Sequence, residues 1–337
     1  MNKTYPSSVE ELSVEQLNRF IAFKDSVSPL LADFPEMNTQ WHVFRFYRSK
    51  KFNEESAFKA LKDFVEYRKM IKISEIMSRD HSDYDEIEKN IAVGRYGTDK
   101  AGRPIIIRRM GRGDHKHIMK DEFNRLRVDY FIQQFERLLF IELPMASYTA
   151  RRRVDKVIII NDFNGLGLSK MLDSKLKAFF KLLVTVSQTN YPELIEHAFV
   201  INVPSMFKGM WSMLQSWFGN TNSNRVSLHS SVPFDKLSEY IDMEKLPIYL
   251  GGKNETPLNE NFGPWKDAIE SSKVRKSFFL EDRSIEYEYF YTEEEKQALK
   301  KSRGSTKLFQ ELINTDSENM QKGEVRYFLN SLGKQMK

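Results

Sequence analysis

The chain has 337 residues, 40% hydrophobic and 13% aromatic, enough apolar surface to close a core and exclude wholesale disorder. Its 52 Lys and Arg against 47 Asp and Glu leave a net charge of +5, too evenly mixed for an obligate nucleic-acid binder. Cysteine is absent, which excludes a disulfide framework, a thiolate nucleophile and a Cys-ligated zinc. Residues 1–10 lack the apolar segment of a secretory leader, and no run of about 18 apolar residues occurs. A cytoplasmic chain with at most peripheral membrane contact is expected.

The first ninety or so residues read as helical. Asn53 is a plausible N-cap, with Glu54 and Glu55 placed to meet the helix dipole. Ala57, Phe58, Leu61, Phe64 and Val65 then recur at helical spacing. Residues 96–104 form a turn-rich lead-in to the β-branched run Ile105, Ile106 and Ile107. An amphipathic helix is predicted over residues 122–142, on a stripe of Leu126, Tyr130, Phe131, Phe135, Leu138 and Leu139. Residues 154–160 are the strongest strand, since Val157, Ile158, Ile159 and Ile160 suit a sheet covered on both faces.

After a turn at residues 161–165, Ser169 is expected to cap a helix carrying Met171, Leu172, Leu176, Phe179, Phe180 and Leu183. Residues 198–203 form a further buried strand, while 226–228 and 248–250 are weaker ones. This alternation predicts an α/β fold with a mostly parallel sheet and right-handed crossovers. Beyond Trp265 the composition shifts to a charged extension, in which residues 292–295 match a capping box.

No nucleophile elbow, phosphate-binding loop, dinucleotide fingerprint or zinc-protease helix occurs, so no enzyme is expected. His115 and His117 lack a third ligand and read as solvated loop histidines, with no metal site. Asp162 reads as an Asx-turn residue rather than a catalytic carboxylate, because Asn161, Asn164 and Gly165 are turn formers. Arg103, Arg108, Arg109, Arg112, Lys116, Lys120, Arg125, Arg127 and residues 151–153 form a basic stretch. It suits either an anionic lipid surface or ordinary solvated faces. Residues 204–218 carry Met206, Phe207, Met210, Trp211, Met213, Leu214, Trp217 and Phe218 at helical spacing but on more than one stripe. Such a helix is either buried on most sides or faces something apolar that is not protein.

Several ordered motifs then coincide. Phe44-Arg-Phe-Tyr-Arg-Ser-Lys-Lys-Phe-Asn53 is similar to a basic Arg/Lys-Phe-Asp element, and residues 96–104 to a Thr-Asp-Lys-x-Gly-Arg-Pro turn. Residues 162–168 resemble an Asp-Leu-x-Gly-Leu/Ile-Ser turn. Tyr191-Pro-Glu193 with residues 199–204 matches a Tyr-Pro-Glu and Ile-Asn-x-Pro signature. Leu246-Pro-Ile-Tyr-Leu-Gly-Gly252 and Gly263-Pro-Trp265 complete the set, which spans residues 10–268. Together they resemble the CRAL-TRIO lipid-binding family, and within it the fungal-type phosphatidylinositol transfer proteins.

The resemblance implies an N-terminal helical lobe over residues 1–90 and a lipid-binding lobe over 91–268. A charged, mostly helical extension of unknown role would follow over 269–337. The sheet would floor a hydrophobic cavity, closed by a gating helix that carries Met206, Phe207, Met210, Trp211, Leu214, Trp217 and Phe218. Headgroup positions carry over to Lys50, with Lys51 beside it, Glu193, Asn222 and Arg225, where Asn222 replaces a family Thr. At the positions where choline binders carry hydroxyls and tyrosines, this chain has Ile106, Phe135, Val157 and Ile159. Such a wall cannot hydrogen-bond a phosphate, so choline-lipid exchange is not expected, and a sterol, another hydrophobe or no second ligand stay open.

The implied function is a monomeric, peripherally membrane-associated protein that carries or presents a phosphatidylinositol-like phospholipid, in transient contact with anionic membranes. No cofactor beyond that lipid is implied, and no nucleic acid. The alternative is a lipid-regulated signalling scaffold that binds a small GTPase or another protein without bulk transfer.

Overall fold

A computed structural model describes residues 6–79, 81–150, 152–167, 170, 173–204 and 225–265. They fall into two compact units, divided between Arg79 and Asp80.

The first unit is helical. Helix α1 (Val14–Val27) opens on a capping box, in which the Ser13 hydroxyl accepts from Gln16 N–H and the Gln16 side chain accepts from Ser13 N–H. Helices α2 (Gln40–Ser49) and α3 (Glu54–Ile71) are capped by Thr39 and Asn53, and α4 (Ile73–Ser78) follows after left-handed Lys72. Phe20, Phe23, Phe44 and Tyr47 interlock at ring separations of 4.8–5.6 Å. The link from α2 to α3 is tight. Lys51 and Phe52 both take positive φ, 54° and 63°, a conformation that bulky side chains adopt only under constraint. Phe52 meets that constraint by packing its ring on Phe44 and Tyr47, which leaves Lys50 and Lys51 exposed.

In the second unit, α5 (Asp85–Asn90) leads into a five-stranded sheet of order β1-β2-β3-β4-β5. The strands are β1 (Val93–Thr98), β2 (Pro104–Arg109), β3 (Val157–Asp162), β4 (Ile195–Ile201) and β5 (Val226–Leu228). Only the β1/β2 pair is antiparallel, so the sheet is mostly parallel as predicted. The β1/β2 turn is held by Asp99, whose Oδ1 accepts from Ala101 and Arg103 N–H and whose Oδ2 accepts from Arg103 Nε. Gly102 supplies the left-handed residue, with φ 75°.

The crossover from β2 to β3 contains a short helix α6 (His115–Ile118), then α7 (Asn124–Arg137), a π-helical turn (Leu138–Glu142) and α8 (Leu143–Ala150). Helix α9 (Ser174–Asn190) links β3 to β4, and α10 (Phe234–Tyr240) follows β5.

Alternation along the strands gives the sheet two different faces. On one, Tyr96, Ile105, Ile107, Ile158, Ile160, Phe199 and Ile201 pack on Leu237, Ile241, Leu246 and Leu250. The other presents Arg95, Ile106, Arg108, Val157, Ile159, Ala198 and Val200 to a cavity.

Several expectations change. Strand β1 falls where only a turn-rich lead-in was expected, and β3 and β4 start three residues later and earlier, respectively, than the predicted 154 and 198. Residues 248–250 form a 3-10 turn because Pro247 precedes them and Gly251, at φ 82°, ends them. The helix predicted to stop at 142 continues through the π turn to Ala150. Asp173, not Ser169, caps the described α9; Ser169, Met171 and Leu172 lie outside the described residues, as do residues 292–295.

Candidate functional site

The cavity is roofed by α7 and α9. Phe131, Phe135 and Leu138 reach it from the first and its π turn, and Leu176, Phe179 and Leu183 from the second. Opposite them lie Ile106, Val157 and Ile159, so the apolar residues singled out from the sequence share one lining with Phe135. Its volume is about 300 Å³, and the lining is mostly apolar. Phe135 is fixed by stacking on Tyr191, 4.7 Å between ring centroids, and Tyr191 donates its hydroxyl to Glu136 at 2.7 Å.

Glu193 and Arg225, separated by 32 residues in sequence, meet at the cavity margin. Arg225 Nη2 lies 2.9 Å from Glu193 Oε2, and its Nη1 donates to the Ile195 carbonyl at 3.0 Å. Glu193 sits at φ 62°, where the chain turns after Pro192 into β4. The side chains are 8% and 23% exposed, so this is not a surface salt bridge. Lys50 and Lys51 belong to the helical unit, on the α2/α3 link. Asn222 and the gate residues Met206, Phe207, Met210, Trp211, Leu214, Trp217 and Phe218 lie outside the described residues.

Toward β1 the cavity adjoins a more polar chamber of about 700 Å³, with Arg95, Arg109, Tyr130 and Gln134 lining both. Glu142, wholly buried at the end of the π turn, receives Arg95 Nε at 2.8 Å and lies 3.2 Å from Arg137 Nε. Arg109 lies over the Tyr249 ring, 3.9 Å from its centroid. Burial raises the Tyr130 and Tyr249 phenols above their usual range, so both stay protonated donors. Sequence reading missed this chamber. Beside it, a period of two in β2 places Arg108 with Ile106 on the face that lines the apolar cavity.

The basic stretch is dispersed by the fold. Arg103 ties Asp99 to Glu196, Arg108 faces the cavity, and buried Arg127 donates to the Ile118 carbonyl and to Asn124 Oδ1. Arg112, Lys116, Lys120 and Arg125 stay exposed. His115 is buried rather than a solvated loop residue: its Nε2 meets the Met110 carbonyl, and desolvation holds the imidazole below its usual pKa. His117 lies 3.4 Å from Glu86. Asp162 does form the expected Asx turn, accepting from Asn164 N–H at 2.9 Å, and it also receives Asn202 Nδ2. Among the described residues no group of three or more His, Asp or Glu side chains could hold a metal, and no helix is long and apolar enough to cross a membrane.

Residues 88–252 match the model of the CRAL/TRIO domain family. The chain is similar to the phosphatidylinositol/phosphatidylcholine transfer proteins SFH12 and SFH7 of Arabidopsis thaliana. It is 29% identical to the first over 262 residues, covering 75% of this chain and 48% of that protein. The second is 26% identical over 262 residues, covering 76% of this chain and 47% of that protein. The chain thus spans about half the length of these curated relatives. The fold is also that of the crystal structure of Sfh5, with a TM-score of 0.52 at 16% identity over 66% of this chain and 76% of the other. The matched residues hold the whole sheet, the apolar cavity and the Glu193–Arg225 pair.

Proposed function

We propose that the protein binds a phosphatidylinositol-like phospholipid in the apolar cavity and carries it between membranes or presents it at one, without enzymatic turnover. The observation that carries this reading is the cavity lined by Ile106, Phe135, Val157 and Ile159 on a CRAL/TRIO sheet. Each methylene withheld from water is worth about 0.8 kcal/mol, so a two-chain lipid crosses water only inside such an enclosure. The names of the similar transfer proteins support the same reading.

Lys50, Lys51, Glu193, Asn222 and Arg225 are proposed to recognise the headgroup. The two Lys and Arg225 neutralise phosphate, while Glu193 and Asn222 hydrogen-bond inositol hydroxyls. Arg225 keeps guanidinium donors beyond those used by Glu193 and Ile195. The gate would open where a bilayer replaces water, with transient docking on anionic lipid through exposed basic residues. The protein would act as a cytoplasmic monomer, with the lobes divided near residues 90 and 268.

Uptake of fluorescent phosphatidylinositol from vesicles tests the assignment. Lys50→Ala combined with Glu193→Ala is expected to lower uptake about tenfold or more, the scale of losing one or two charge-assisted hydrogen bonds. Unchanged uptake contradicts the headgroup roles.

A further inference from the structure

Arg108 has no hydrogen-bond or ion-pair partner among the described residues. Its Nε is enclosed by the protein and unsatisfied, while the side chain lines the cavity. The register explains its position. Arg95 pairs with Ile106 and Val93 with Arg108, so the two arginines are diagonal neighbours on the cavity face of the sheet, roughly 7–8 Å apart at the backbone. Arg137, at the end of α7, lines the adjoining polar chamber, and it shares Glu142 with Arg95 as their carboxylate. Burial and the like charge of Arg95 pull Arg108 down to a pKa of about 10, which still leaves it charged at neutral pH.

Arg108 is half-buried with its Nε enclosed, and a cation so placed with no counter-charge is costly unless a ligand supplies the anion. The surroundings fit that role. The apolar wall of Ile106, Val157 and Ile159 runs from Arg108 along the sheet, and the polar chamber beside it adds Arg109, Tyr130 and Gln134 as donors. Guanidinium groups match phosphate and carboxylate with paired N–H donors. A choline head would instead bring a second cation against them.

We infer that the Arg95 and Arg108 end of the cavity is an oxyanion subsite. It would hold the phosphomonoester or carboxylate of an amphiphile whose tail lies along the apolar wall. The inference rests on the lipid-carrying reading of the cavity and extends it to a second class of ligand, an acidic lipid with a small, uncapped head.

Vesicles of phosphatidylcholine doped with fluorescent phosphatidate, with fluorescent phosphatidylinositol, or with oleate supply the test. The wild-type chain is expected to load phosphatidate or oleate in preference to phosphatidylcholine, and the two arms tell phosphate from carboxylate. Arg108→Met should lower that loading about tenfold or more, and by a larger factor than it lowers phosphatidylinositol uptake. Arg108→Lys, which keeps the charge but loses the paired donors, should fall between them. Lipid-free Arg108→Met should melt at or above the wild-type temperature, because it removes an uncompensated charge, and this separates lost binding from lost folding. A wild type that takes up phosphatidylinositol but neither oxyanion lipid overturns the subsite alone. Loading of Arg108→Met equal to wild type does the same, and a wild type that takes up no lipid overturns the cavity reading as well.

Discussion

Replacing Glu142 with Leu is expected to lower the free energy of unfolding by about 3–5 kcal/mol, the usual cost of breaking a buried ion pair by removing one partner. Glu142 is wholly buried, and its carboxylate faces Arg95 at 2.8 Å and Arg137 at 3.2 Å. Burial in the same cluster already weighs against the charged form of Arg137, and Arg95 adds like charge to it. Without the carboxylate, Arg95 and Arg137 would both lose the buried partner they share. The π turn Leu138–Glu142 makes this placement, since its register brings Glu142 inward at the end of a run of buried apolar residues. Urea unfolding reads the loss directly. The double variant Glu142→Leu with Arg95→Leu should recover part of it, because the uncompensated charge is smaller. A loss below about 1 kcal/mol for the single variant would mean that the arginines are solvated rather than held by Glu142.

Ala198→Trp is expected to reduce lipid uptake at least about tenfold, with little change in melting temperature. Ala198 stands on β4 opposite Ile159 and Val226, in the middle of the cavity floor. An indole there projects into the space that acyl chains would occupy, where overpacking costs far less than in a filled core. It also buries its own apolar area, which offsets strain. Vesicle uptake assays and a thermal melt separate the outcomes. Full uptake by Ala198→Trp would show that lipid binds elsewhere.

What could be read from the sequence follows the strength of local signals. Strand β3 was legible because Val157 to Ile160 are β-branched and both sheet faces are covered. Strand β1 was not. It contains Gly94, Gly97 and a central Arg95, it forms by pairing with β2, and Gly94 is needed because Leu258 packs where a Cβ would lie. Residues 248–250 have strand composition, but Pro247 and Gly251 set a tight turn that composition does not reveal. The π turn left no trace either, because Leu138 to Ile141 read as ordinary helix.

The site divides in the same way. Ile106, Phe135, Val157 and Ile159 were placed together by a family resemblance, and they share one cavity lining. Glu193 and Arg225 come together only through the turn at Pro192 and the return of the chain at β5, a contact that no spacing rule encodes. Arg108 was read as part of a basic stretch because charge was counted along the chain. Counted by strand face, Arg95 and Arg108 leave the surface and join the cavity.

Native mass spectrometry of the full chain, purified without detergent or organic solvent, tests the central claim most directly. A cavity of this kind should hold its ligand through purification, giving a protein ion heavier than the chain by one phospholipid, identified by fragmentation as an inositol lipid. A population found only at the mass of the bare chain, and unchanged after incubation with phosphatidylinositol vesicles, would contradict it.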